Sequence, residues 1–152
     1  MPYDTHIVDN GKGVYKVGYG VVSSADLLTS SLQRSIDLKP AGTSAVRYGL
    51  IDLTAVTDLQ VSSEAVMRVL EIDRQVAQFS RNCFVAVVAS ESLAFGMARL
   101  WSSFAKDIGW ESQVFRDRES AKAWLRKNLG SGDPDQCSPE EFPFLFASSP
   151  GA

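Results

Sequence analysis

The chain has 152 residues, 45% hydrophobic and 22% charged, which suits one globular domain with its own core and excludes wholesale disorder or a fibrous architecture. Fifteen Lys and Arg against eighteen Asp and Glu give a formal charge of -3, so there is no bulk electrostatic drive toward nucleic acid or an anionic lipid surface. The longest apolar run, Cys83 to Ala89, is too short to span a bilayer, and the polar start from Met1 to Asn10 lacks the form of a signal peptide, so a cytoplasmic location is expected.

His6 to Val8 and Val14 to Val22 are β-like, and Asn10-Gly11-Lys12-Gly13 between them supplies residues that accept positive φ, which predicts an opening hairpin. In the second strand Tyr15, Val17, Tyr19 and Val21 share one face, expected to be the better buried, with Lys16, Gly18 and Gly20 on the other. Ser23 to Asp26 then offers capping groups before Leu27, Leu28, Leu32 and Ile36, a short helix expected to stop near Asp37. Pro40 to Ser44 reads as a loop, and Tyr48 to Leu53 as an apolar strand closing at Asp52 and Thr54.

From Ser62 to about Phe79 the apolar spacing is helical, with Glu64, Arg68, Glu71 and Arg74 free to face water. Cys83 to Ala89 has no polar alternation, the mark of a strand covered on both faces or central in its sheet. Ser90 to Ile108 forms the next helix, with Gly96 read as a close-packing position and Gly109 as its terminator. Ser112 to Arg116 is a last strand, and Asp117 caps a final helix ending at Gly130. The fold class is therefore α/β in the order ββαβαβαβα, whose crossovers demand parallel pairs. Residues 1–130 are assigned to the domain, and 131–152 to a tail with Pro and Phe.

This order, with Leu50 to Thr57 leading into Ser62-Ser63-Glu64, resembles the STAS domain family, known from SpoIIAA-type anti-sigma-factor antagonists. Leu93-Ala94-Phe95-Gly96-Met97-Ala98-Arg99 and Val114-Phe115-Arg116-Asp117, followed by Ala121 and Trp124-Leu125, are similar to the SpoIIAA-like proteins of the STAS/SEC14 group. The resemblance spans roughly residues 5–129. It implies a mixed four-to-five-stranded sheet with flanking helices that binds proteins or small apolar ligands. STAS antagonists switched by phosphorylation carry Asp-Ser-Ser-Gly where this chain has Gln60-Val61-Ser62-Ser63-Glu64. The serines are kept and their neighbours are not; Glu64 would repel a phosphate that the helix start would otherwise favour.

Asp58, Gln60, Ser62 and Ser63 after the third strand, with Ser90, Glu91 and Ser92 after the fourth, lie where open α/β sheets present ligand loops. They are the candidate partner-binding or phosphorylation residues. The plainer reading of Ser62, Ser63, Ser90 and Ser92 is helix capping. Met97, Leu100, Trp101 and Phe104 are candidates to line a pocket for a small apolar ligand, although their helical spacing also suits plain core.

Asp52, ending an apolar strand, resembles a catalytic carboxylate, but without an obvious partner its expected job is hydrogen bonding to loop amides. His6 is the single histidine, and Cys83 and Cys137 fit no redox or metal spacing, so no metal or cofactor is expected. Gly11-Lys12-Gly13 and Gly18-Tyr19-Gly20 lack the context of phosphate loops.

A non-catalytic recognition or regulatory module with a protein partner is the leading reading. A carrier or sensor of a small apolar ligand follows, and an enzyme using Asp52, Asp58 or Ser62 comes last. Phe142, Phe144, Leu145 and Phe146 in the Pro-broken tail need a surface to dock on, on this chain or a neighbour. The tail from Pro139 to Pro150 is accordingly a candidate contributor to self-association, as in a homodimer.

Overall fold

The computed structural model describes residues 3–38, 46–78 and 82–147. The expected loop at Pro40 to Ser44, the expected helix end at Phe79 and the last residues of the tail lie outside them. One five-stranded sheet runs in the order β1-β2-β3-β4-β5, built from β1 (Tyr3–Val8), β2 (Gly13–Ser23), β3 (Tyr48–Gln60), β4 (Phe84–Val88) and β5 (Glu111–Phe115). β1 is antiparallel to β2, and β2 through β5 are mutually parallel. The helices are α1 (Ser24–Leu38), α2 (Ser63–Ala77), α3 (Ser92–Ala105), α4 (Arg118–Leu129) and the short α5 (Pro143–Phe146). The expected element order and mixed sheet are both present, and the expected opening hairpin turns through Asp9, Asn10 and Gly11, all at positive φ.

Side-chain alternation on β4 divides the core between two faces. Val85 and Val87 point into a cluster with Val66, Val69 and Leu70 of α2 and Ala94, Ala98 and Trp101 of α3. Ala86 and Val88 point the other way, into a cluster with Tyr48 and Leu50 of β3 and Ala121, Leu125 and Leu129 of α4. The unbroken apolar run is thus explained by cover on both sides. Cys83 belongs to the first cluster and Cys137 to the second, so the sheet separates the two thiols.

The residues read as a tail fill the second face. Phe142 and Leu145 are buried against α4 and β3, Tyr48 meets Phe142 edge-on at 6.0 Å, and Phe144 lies 4.8 Å from the Tyr15 ring. Polar contacts hold the segment: Asp9 Oδ1 accepts from the Phe144 amide at 2.9 Å, and Arg126 Nη1 donates to the Leu145 carbonyl at 2.6 Å. Of the four apolar tail residues only Phe146 remains exposed, so the docking surface they require is on this chain.

Two expectations about strands change. β3 does not close near Thr54 but continues to Gln60, with register shifts against β2 between Val17 and Tyr19 and between Gly20 and Val21. Each shift spends an additional β3 residue and returns an apolar side chain to the helix side, so Leu53, Val56 and Leu59 recur every third position rather than every second. Gly20 has φ +68 at the second shift, a conformation costly for a residue with a Cβ. Gly13 is required for a different reason: a Cβ there would lie 2.3 Å from the Tyr48 ring.

The expected buried face of β2 is covered only at its start. Tyr15 and Val17 are packed, whereas Tyr19 and Val21 are exposed. On the opposite face Val14, Lys16, Gly18 and Val22 are buried. Gly96 is likewise corrected: it faces open space, with nothing within 4 Å of a Cβ placed there.

Candidate functional site

The parallel strands direct their C-terminal ends to one end of the sheet, where the candidate residues gather. Ser62 caps α2 by accepting from the Ala65 amide at 3.1 Å, and its own amide donates to Ser24 Oγ at 3.1 Å. Ser63 and Glu64, in the first turn of α2, are exposed. At α3 the cap is neither Ser90 nor Ser92: Glu91 accepts from the Leu93 and Ala94 amides at 3.0 and 3.1 Å. A carboxylate satisfies two orphan donors where a serine would reach one, and it complements the positive helix end. Ser90, Glu91 and Ser92 are all exposed, and the Ser90 carbonyl accepts from Arg116 Nη1 at 3.0 Å.

Asp58 and Gln60 lie within β3 rather than in a loop after it, because the bulged strand runs on past the end of β4. Val88 of β4 pairs with Asp52, so the last eight residues of β3, Leu53 to Gln60, extend beyond the described β4 ladder. In this ribbon Tyr19 pairs with Ala55, Val21 with Asp58 and Ser23 with Gln60. Its outer face leaves Tyr19 38% and Val21 53% exposed, bordered by Asp58, whose Oδ2 accepts from Gln60 Nε2 at 2.8 Å.

Asp52 is 1% exposed, and both of its carboxylate oxygens have partners. Its Oδ1 accepts from the Thr54 amide at 2.9 Å and from Thr54 Oγ1 at 2.6 Å, while Arg118 Nη2 lies 3.0 Å from Oδ2. Burial demands such compensation, and Arg118 at the start of α4 supplies the partner that local sequence did not indicate. Among the described residues no three His, Cys, Asp or Glu side chains gather in a group that could hold a metal ion. His6 is exposed and stacks on Tyr15 at 6.0 Å.

The apolar candidates divide. A cavity of about 90 Å³ lies between the sheet and α1, α2 and α3, and both Met97 and Trp101 line it, together with Leu27, Leu53, Val66 and Ala94. Leu100 packs on the core without lining this cavity, and Phe104 is 39% exposed. Ala94, Met97, Ala98 and Trp101 fall on one helical stripe, and Leu100 and Phe104 lie to its side.

The cavity wall also carries Lys16 and Asp73, 3% and 1% exposed. Trp101 Nε1 donates to Asp73 Oδ2 at 2.8 Å, and Lys16 Nζ sits 4.6 Å from the centre of the Tyr3 ring. Burial, followed by the charge of Asp26, holds the Tyr3 hydroxyl above its ordinary titration range. A second cavity of about 40 Å³ shares Lys16 and Ile51 and reaches Cys83 and Trp110.

Sequence reading missed this buried polar set, although Asp73 left a signal. It sits on the α2 stripe of Val66, Val69, Leu70, Val76 and Ala77, where a carboxylate needs an internal partner. None of the described helices is long and apolar enough to cross a membrane.

No family profile and no curated protein matches the sequence. Among solved structures, the chain is similar to an uncharacterized protein of the DUF3478 family with a SpoIIAA-like fold from Shewanella loihica PV-4. The TM-score is 0.52 and the identity 19%, over 81% of this chain and 91% of that one. Together with the five-stranded mixed sheet and its flanking helices, this likeness establishes a SpoIIAA-like fold for the chain.

Proposed function

We propose that the chain is a non-catalytic recognition module of STAS type that binds a protein partner at the C-terminal end of its sheet. The observation that carries this reading is the projecting β2–β3 ribbon, whose outer face exposes Tyr19 and Val21 beside Asp58. An apolar centre with a polar border is the usual composition of a contact surface. Ser62, Ser63, Ser90, Glu91 and Ser92 extend the same end of the sheet with exposed polar groups. The engagement of Asp52 by Arg118 and Thr54 argues against its use as an acid or base. Phosphorylation at Ser63, which is exposed, would add negative charge at the start of α2 and modulate this surface.

A photo-crosslinking residue at Val21 tests the reading in the source cell, with the same residue at Lys127 on α4 as control. One discrete adduct from position 21, absent from position 127 and lost in Asp58→Lys, is expected. Equal or absent adducts at both positions would refute it. A second reading, carriage or sensing of a small apolar ligand, is favoured by the cavity at Met97 and Trp101.

A further inference from the structure

β5 closes one side of the sheet, and among the described residues no strand pairs with its outer edge. The Glu111 amide donates to the Cys83 carbonyl at 3.2 Å, and the Phe115 carbonyl accepts from the Ala89 amide at 2.9 Å. The odd-numbered residues of β5 therefore turn their backbone groups toward β4, and alternation turns the N–H and C=O of Ser112 and Val114 outward. Natural edges are commonly blunted by Pro, Lys or a bulge. Glu111-Ser112-Gln113-Val114-Phe115 carries neither residue, and its register with β4 is unbroken.

Beside this edge a groove of about 390 Å³ lies open between α3 and β5. Ser102 and Ser112 meet there, Oγ to Oγ at 2.6 Å, and Phe95, Arg99 and Ser103 line the α3 side. Arg99 is exposed and is the one charged side chain among the described lining residues, and α3 contains no acidic residue. A second guanidinium, that of Arg116, lies 3.8 Å from the centre of the Phe95 ring. The groove is thus complementary to negative charge. Side chains on one face of a strand recur every ~6.8 Å. Arg99 and Ser103 stand four helical residues apart, about 6 Å along the axis. A carboxylate opposite Arg99 and a hydroxyl beside Ser103 therefore fit one face of a single extended segment. We infer that the outer edge of β5 is a docking site that takes an extended acidic segment of a partner protein as a sixth strand, with a carboxylate at Arg99. β4 separates this edge from the β2–β3 ribbon, so either surface can fail without the other.

The probes are the acetylated, amidated hexapeptides TVEVSV and TVKVSV, and two forms of TVEVSV N-methylated either on the valines or on the other three residues. Each is added to the full chain and followed by backbone amide resonances in NMR. Saturable shifts at Ser112 and Val114 are expected with TVEVSV, and binding about fivefold weaker or more with TVKVSV. Alternate N–H groups of an extended peptide lie on opposite edges, so one methylated form should lose binding and the other keep it. Arg99→Glu, at an exposed position, should reverse the order of TVEVSV and TVKVSV. An order unchanged in Arg99→Glu, equal behaviour of the two methylated forms, or no saturable shift with any peptide would overturn the inference. Shifts at Ser112 and Val114 that follow protein concentration without peptide would overturn it too, assigning the edge to a second copy of the chain.

Discussion

Phe142 provides the sharpest measure of how firmly the C-terminal segment belongs to the fold. It is 2% exposed, edge-on to Tyr48, with the cationic groups of Lys12 and Arg47 5.7 and 5.6 Å from its ring centre. Truncating a buried Phe to Ala removes its transfer free energy and leaves a cavity, together costing about 3–5 kcal/mol. With a urea dependence of roughly 2 kcal/mol per molar, a loss of about 4 kcal/mol lowers the unfolding midpoint by about 2 M. Phe146 belongs to the same segment but is 40% exposed, so Phe146→Ala should stay within about 0.5 kcal/mol of the parent. Urea titrations followed by far-ultraviolet circular dichroism and by tryptophan fluorescence measure both variants. If Phe142→Ala moved the midpoint no further than Phe146→Ala, the segment would not be docked as described.

Gly96→Ala should stabilise the chain by about 0.5–1 kcal/mol, because a methyl group there meets open space and the helix loses less backbone entropy; thermal unfolding reads the gain. Arg118→Ala should cost about 2–3 kcal/mol by stranding the buried Asp52 carboxylate, and adding Asp52→Asn should recover part of the loss in a double-mutant cycle. Asp117 caps α4, and its hydrogen bonds from Ser120 hold its carboxyl below the usual carboxylate value. Because the folded group titrates lower than the unfolded one, its contribution is complete above the unfolded value and disappears as the pH falls through the folded one. The deficit of Asp117→Ser relative to the parent should therefore be largest near neutrality and shrink below about pH 4 in a series of urea titrations.

What could be read from the sequence follows the range of the interactions. Element order, the buried β4 run and the caps at Ser62 and Asp117 rest on periodicity or on neighbours within one turn, and each is present in the structure. The full length of β3 was not legible because its two register shifts break strict alternation, and that break depends on β2. Strict alternation puts Lys16 with Gly18 and Gly20 on the face less able to bury; the Tyr3 ring over which it lies belongs to a different strand. The candidate site was half legible for the same reason. Met97 and Trp101 follow from the α3 stripe, whereas Lys16, Asp73 and the ribbon face appear only when separate elements come together. Phe142 and Leu145 are buried within the chain, and Phe146 is the large apolar residue of that segment left exposed.

Asp9 connects the opening hairpin with the segment around Phe144 in time as well as in space. It adopts φ 54 in the first turn, yet its carboxylate is held by the Tyr48 hydroxyl and by the Phe144 amide, 39 and 135 positions later. At synthesis rates of about 5–20 residues per second, roughly 7–27 s separate the appearance of Asp9 from that of Phe144. During that interval a nascent hairpin has its left-handed turn without the last group that secures it. The part of the second face around Tyr15 and Tyr48 lacks the cover of Phe142, Phe144 and Leu145 until those residues have been made. A chaperone acting before that point would therefore find its apolar substrate on the face opposite α2 and α3, and would be displaced when Phe142 and Leu145 dock there.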